Sequence, residues 1–171
     1  LGHQNIEVLE LGFDERPGES FLDSLMEFED AADAAQSYLL DNYRQYPFMY
    51  AQAYRQIFDQ LLDGKRIVIH CTAGKDRAGL ASALVLRTLG VRKEIVLSDY
   101  LLTNEHWDRG GRERPGMDPA TVAMIFSARE DYFRSAFDGI AERYETLREY
   151  LTHEVGLSEP ERAQLQHMYL E

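Results

Sequence analysis

The sequence predicts an α/β fold: a small central sheet flanked by helices, with a helix-rich C-terminal half. Three observations lead there. The β-branched apolar run Arg66-Ile67-Val68-Ile69-His70 is short enough to be a strand buried on both faces. It passes through a short loop into a helical pattern over residues 77–89, stopped by Gly90, as when a strand feeds a helix that packs on its sheet. From Asp118 onward the chain keeps an almost unbroken helical periodicity.

Residues 5–11 alternate, with Ile6 and Val8 on one face and Glu7 between them, and read as a second short strand. Residues 13–29 are acidic and contain Pro17 and Gly18, which marks a loop. A helix is expected over residues 30–45, ending before Pro47. Another follows over residues 50–62, with Tyr54, Ile57, Phe58, Leu61 and Leu62 on its apolar face and Gly64 closing it. Residues 92–107 read as one helix and residues 109–116 as irregular chain. Asp118 before Pro119 is a strong helix start, an N-cap followed by proline at the first helical position. A long amphipathic helix is expected through Tyr132, Phe133, Phe137, Ile140, Tyr144, Leu147 and Leu151, and Ser158 with Glu161 offers a capping box for a last short helix. Two strands make a marginal sheet, so segments upstream of Leu1 are expected to supply the rest.

The 171 residues, 44% hydrophobic and 28% charged, fit one globular domain over the whole chain. No run of about 18 apolar residues is present, so no membrane span is expected. No basic-then-apolar leader is visible, and the expected compartment is the cytoplasm. The chain opens on Leu1, which leaves secretion open. A net charge of -12 argues against non-specific binding of nucleic acid or anionic membrane. An anionic substrate must therefore meet a local positive field. The single cysteine excludes an internal disulfide and a cysteine-rich zinc site. His3, His106, His153 and His167 show no ligand spacing, so neither a metal nor another cofactor is expected.

The chemistry concentrates in His70-Cys71-Thr72-Ala73-Gly74-Lys75-Asp76-Arg77. A loop between a strand end and a helix start turns free backbone N–H groups inward, and the positive end of the helix dipole adds to them. A cysteine at the first position of such a loop has its thiolate stabilised by the same field and becomes a nucleophile. Arg77 can hold two phosphate oxygens with its planar guanidinium, and Gly74 lets the backbone turn without a side chain in the anion's way. The reaction this suggests is attack of sulfur on phosphorus, then hydrolysis of a cysteinyl-phosphate. The glycine-rich ATP motif is absent. Lys75 reads either as a solvated lysine or as extra charge at the pocket mouth, and His70 as a hydrogen-bonding residue that shapes the loop. Asp99 and Asn104 are candidates to reach the site from their helix, with capping or core-edge roles as the alternative. Arg109, Arg112 and Arg114 form either a solvated loop or an accessory patch for a phosphorylated partner.

The segment HCTAGKDRAG resembles the phosphate loop of protein tyrosine phosphatases, most closely a bacterial branch of broad or dual specificity. The likeness extends to Asn42-Tyr43-Arg44-Gln45-Tyr46-Pro47 and to Ser98-Asp99-Tyr100-Leu101-Leu102-Thr103-Asn104. The resemblance implies Cys71 as nucleophile, Arg77 as phosphate clamp, and the backbone of Thr72, Ala73, Gly74, Lys75, Asp76 and Arg77 around the phosphoryl oxygens. It favours Asp76 as general acid, with Asp14 as the alternative. It implies a tyrosine-phosphatase-like fold and a phosphorylated protein substrate: phosphotyrosine first, then phosphoserine or phosphothreonine. The Gly-Lys pair also resembles phosphoinositide phosphatases.

Two departures stand out. Ala78 replaces the usual Ser or Thr after the arginine, so a hydroxyl that would donate to the leaving thiolate is missing, which bears on turnover rather than binding. The family's opening strands are absent, as expected of a fragment or processed product. Beside the enzyme stand two rivals: a phosphate-binding module that no longer turns over, and a sulfur-transfer enzyme with a rhodanese-type loop.

Overall fold

The computed structural model describes residues 6–11, 28–108 and 116–170. These form nine helices: α1 (Ala31–Met49), α2 (Ala51–Leu62), α3 (Arg77–Thr88), α4 (Lys93–Leu101), α5 (Thr103–His106), α6 (Pro119–Phe126), α7 (Glu130–Ala141), α8 (Leu147–His153) and α9 (Glu159–Leu170).

The predicted central sheet is not seen, because no described residue belongs to a β-ladder. Ile67 and Ile69 pack against the helical core, but Val68 between them is 90% exposed. The run read as buried on both faces is thus covered on one. Residues 6–11 do not alternate at all: residues 6–10, Ile6 and Val8 among them, are exposed, and Leu11 at the end of the segment meets the core. Lys65 and Glu7, 3.8 Å apart, are an ion pair between the two segments. Alternating burial is the side-chain half of a strand. The other half is a neighbour facing its N–H and C=O groups, and no described segment supplies one.

Several helix ends follow the local signals. Asp118 accepts from the amides of Ala120 and Thr121 at 2.9 and 3.0 Å and caps α6. Ser158 and Glu161 form the expected capping box, the Ser158 amide donating to the Glu161 carboxylate at 2.7 Å. Other ends moved. α1 continues through Pro47 to Met49, although proline removes one helical donor and crowds the preceding turn. Pro47 is buried in the last turn, and its carbonyl accepts from the Tyr150 hydroxyl at 2.6 Å, a tertiary bond that local propensity cannot foresee. The helix expected over residues 92–107 divides at Leu102 into α4 and α5. The long amphipathic stretch divides into α7 and α8, because Thr146 caps α8 with its hydroxyl on the Glu149 amide at 3.1 Å.

The core is one cluster, with Tyr43, Phe58, Leu80, Leu84, Tyr132, Tyr150 and Leu165 among its members. α1 lies along α6 and α7, α3 against α4, and α2 against α9. The α1–α7 approach is close: a Cβ on Gly139 would sit 2.3 Å from the Arg44 carbonyl oxygen. Ser135 donates to the Leu40 carbonyl at 2.8 Å across the same seam. α2 is tied to α9 by Arg55, which meets Glu161 at 2.7 Å and the Gly156 carbonyl at 2.6 Å.

Gly139→Ala must push α1 and α7 apart, and should lower the unfolding free energy by about 2 kcal/mol. A urea midpoint equal to the parent's would show that the helices do not approach this closely.

The hydrogen bond from Arg55, more than those from Ser158, brings the Glu161 carboxyl down to about 2 from its usual 4.5. A lowered carboxylate pKa contributes stability that is complete above the unfolded value and is lost as pH falls through the folded one. The stability lead of the parent over Glu161→Gln should therefore be full at neutral pH and shrink between about pH 4.5 and 2. Thermal melts across that range test it; a gap that does not change with pH would mean the pair adds nothing.

Candidate active site

The loop of residues 71–76 joins the uncovered apolar run to α3. Gly74 holds φ at +68°, and a Cβ there would meet no atom within 4 Å. Glycine is therefore demanded by the left-handed backbone and not by crowding. Among the described residues no backbone carbonyl accepts from the amides of residues 72–76. A helix start leaves its first N–H groups without intrahelical acceptors. A loop of unpaired amides ahead of a twelve-residue helix is an anion site by geometry and by dipole.

Cys71, a free thiol, is partly buried at the start of this loop. Arg77, the first residue of α3, reaches back across it, with Nη2 3.5 Å from the Thr72 hydroxyl. The structure thus brings together Cys71, Thr72, Ala73, Gly74, Asp76 and Arg77, as their adjacency in the chain requires. Ala78 is buried at the second position of α3.

Asp76 occupies the N-cap position of α3 but caps nothing with its side chain. Its Oδ1 accepts instead from the Tyr43 hydroxyl at 2.6 Å and faces the Lys75 ammonium at 3.3 Å. Tyr43 in turn shares a 2.7 Å hydrogen bond with the Tyr100 hydroxyl. Burial, with the Asp76 charge adding to it, pushes the Tyr43 hydroxyl well above its usual value. Tyr100 is raised too, mainly by burial. Both phenols are protonated at neutral pH.

Lys75 is neither solvated nor at a pocket mouth. It is 2% exposed, and its ammonium donates to the carbonyls of Ile125 at 2.5 Å and Ser127 at 3.4 Å. Asn104 also departs from a site role: its amide grips the Ala128 backbone, donating to the carbonyl at 2.8 Å and accepting from the N–H at 2.7 Å. His70 is exposed and hydrogen-bonds to none of the described residues, so nothing in it shapes the loop. Asp99 is exposed as well. Asp14, Arg109, Arg112 and Arg114 lie outside the described residues. Among the described residues, no group of three His, Cys, Asp or Glu side chains is placed to hold a metal ion. No described helix is long and apolar enough to cross a membrane.

Four tyrosines around the loop escaped sequence reasoning. Tyr43 and Tyr46 on α1 and Tyr50, which caps its C-terminal end, follow one another with ring centroids 5.2 and 5.1 Å apart. Burial raises the Tyr50 hydroxyl above its usual value while the Arg77 charge opposes it, and Cys71 and Asp76 also act on it. Tyr100 arrives from α4. A signal was present: three of them sit at spacings of three and four residues, one helical face, in the stretch that precedes the second helix.

Residues 4–171 match the tyrosine phosphatase family. The chain belongs to that family. Its relatives include the triple specificity protein phosphatase PtpB of Mycobacterium tuberculosis, 30% identical over 146 residues, which are 74% of this chain and 52% of that protein. A Cupriavidus necator protein provisionally named a tyrosine-protein phosphatase is 30% identical over 142 residues, 78% of this chain and 52% of that one. The chain thus spans about half the length of the curated relatives it matches.

Proposed function

We propose that residues 1–171 act as one phosphatase domain that hydrolyses phosphotyrosine in a protein substrate, with phosphoserine and phosphothreonine as further substrates. The observation that carries this reading is the loop of unpaired amides between Cys71 and Arg77, open to an anion at the start of α3. The Cys71 thiolate attacks phosphorus in line, the S–P bond forms and the P–O bond to the leaving group breaks. Asp76 gives its proton to the departing oxygen. The same carboxylate then takes a proton from water, which attacks the cysteinyl-phosphate and releases thiolate and inorganic phosphate. Arg77 and the amides stabilise the charge that gathers on the equatorial oxygens.

Membership of the tyrosine phosphatase family supports this substrate, and so do Tyr46 and Tyr50, which lie within electrostatic reach of Arg77. A phenyl leaving group gains from aromatic neighbours in a way that an alkyl or inositol hydroxyl does not. The printed name of the mycobacterial relative, with its triple specificity, supports a wider list. The buried Lys75 withdraws the reason for favouring phosphoinositides, since its charge is spent inside the protein. A second reading, binding without efficient turnover, rests on the absent hydroxyl at Ala78.

A pH profile with p-nitrophenyl phosphate, set beside phosphopeptides and phosphoinositides, tests the reading. Cys71→Ser should abolish turnover and keep vanadate binding, because the amides and Arg77 remain. Arg77→Lys should lose both, since a point charge cannot replace a bidentate fork. Turnover by pure Cys71→Ser protein, or an inactive parent, would sink the mechanism.

A hydroxyl at position 78 would donate to the thiolate as it leaves, and a hydrogen bond to a charged group contributes roughly 1.5–3 kcal/mol, about tenfold to a hundredfold in rate. Without it, stopped-flow should show a burst of phenolate before slow steady turnover. Ala78→Ser should raise the steady rate and shrink the burst with phosphate affinity almost unchanged. Absence of a burst, with no gain in Ala78→Ser, would mean that another donor serves the leaving sulfur.

A further inference from the structure

Asp76 stands where a capping aspartate normally turns its carboxylate onto the amides of its own helix. It does not do so. Both of its side-chain interactions fall on Oδ1, with the Tyr43 hydroxyl at 2.6 Å and the Lys75 ammonium at 3.3 Å, and Oδ2 accepts from none of the described residues. One oxygen is held from inside the protein and the other is left for a proton. We propose that Tyr43 and Tyr100 are positioning residues, a two-hydroxyl strut that holds Asp76 out of its capping rotamer and aims Oδ2 at the leaving group. The proposal rests on the reading of Asp76 as general acid.

The direction of the strut follows from proton counting. A phenol has one proton, and Tyr43 gives its own to Asp76. The 2.7 Å contact between the hydroxyls is then donated by Tyr100. Each bond polarises the next, so the pair holds the carboxylate more firmly than Tyr43 alone. Both phenols are buried and kept protonated by that burial, so neither becomes a second anion beside Asp76.

The rings themselves are fixed. Tyr43 stacks on Tyr132 at 5.5 Å, and Tyr100 packs on Phe133 at 5.2 Å. Gly79 in the first turn of α3 makes room for Tyr100, since a Cβ there would lie 3.0 and 3.2 Å from two of its ring carbons. The glycine that ends the HCTAGKDRAG segment is thus explained by the tyrosine and not by the phosphate. A strut from α1 and α4 to the loop is also a costly arrangement to bury without purpose, because Asp76 could satisfy itself locally at the cap.

A residue that aims a general acid matters in proportion to how much the leaving group needs a proton. p-Nitrophenolate is a stable anion that departs with little help, whereas the phenolate of phosphotyrosine needs the acid. The test measures kcat and KM of the purified chain on both substrates for the parent, Tyr43→Phe, Tyr100→Phe and Asp76→Asn. The Phe variants keep the rings and hence the packing, which vanadate inhibition and thermal melting verify. Tyr43→Phe should lose at least tenfold more kcat/KM, which reads the leaving-group step even where hydrolysis of the cysteinyl-phosphate limits kcat, on a phosphotyrosine peptide than on p-nitrophenyl phosphate, and Tyr100→Phe should show the same selectivity more weakly. Gly79→Ala, which displaces the Tyr100 ring, should follow Tyr100→Phe. If Asp76→Asn is selective between the two substrates and Tyr43→Phe is not, the strut is overturned and the acid assignment stands. If Asp76→Asn shows no selectivity, the acid assignment falls and the strut falls with it.

Discussion

Lys75 buries its ammonium against the carbonyls of Ile125 and Ser127 and faces the Asp76 carboxylate at 3.3 Å. Taking a charge out of water costs several kcal/mol unless it is paired and hydrogen-bonded, so this lysine permits few positions of the loop that bears it. Its acceptors lie at the C-terminal end of α6, where the last carbonyls lack helical donors and the dipole is negative. The candidate phosphate loop is therefore registered on a helix some fifty residues away in the chain. That helix is in turn fixed at its start by Asp118 and just beyond its end by Asn104 on the Ala128 backbone. Three polar ties, one from within the loop and two outside it, limit where Cys71 and Arg77 can stand.

What was legible in the sequence is what local chemistry decides. Asp118-Pro119 and the Ser158–Glu161 pair act within a single turn, and both helix starts appear where those residues put them. The Cys71–Arg77 loop was legible for the same reason, since all its parts are contiguous. The sheet was not. An apolar run of four or five residues announces burial but not a partner, and Ile67 and Ile69 found a helical core on one side and nothing described on the other. The long helix through Leu151 was over-extended because apolar periodicity continues through a turn when both flanking helices bury residues in the same core. Pro47 was misread as a stop because its setting in a buried last turn, with its carbonyl accepting from the Tyr150 hydroxyl 103 residues away, is tertiary and not local.

The tyrosines around the loop were illegible for a related reason. Tyr43 and Tyr100 are core residues by burial and Tyr46 is packed against the core, and only the position of the hydroxyl sets the proposed positioning role apart from simple packing. Lys75 misled in the opposite way. A lysine in a glycine-rich loop suggests charge offered to a ligand, but nothing local tells whether the four-carbon stem turns out to solvent or in toward helix carbonyls. Sequence reasoning names the groups that hold a phosphate. The groups that orient them come from α1, α4 and α6.

This division bears on what the site can recognise. With Lys75 committed to Asp76 and the carbonyls, the field that meets an anion comes from Arg77, the loop amides and the start of α3, against a net charge of -12. Dipoles fall off within the first turn, so attraction begins only when the phosphate is almost seated. A ligand bearing several phosphates is repelled at longer range by the whole molecule and gains only one seat in return. A single phosphate on an aromatic ring meets less of that repulsion, and Tyr50 and Tyr46 lie within electrostatic reach of the guanidinium. Net charge and the nearby aromatic side chains thus support the proposed phosphotyrosine substrate by independent routes, one acting at distance and one at short range.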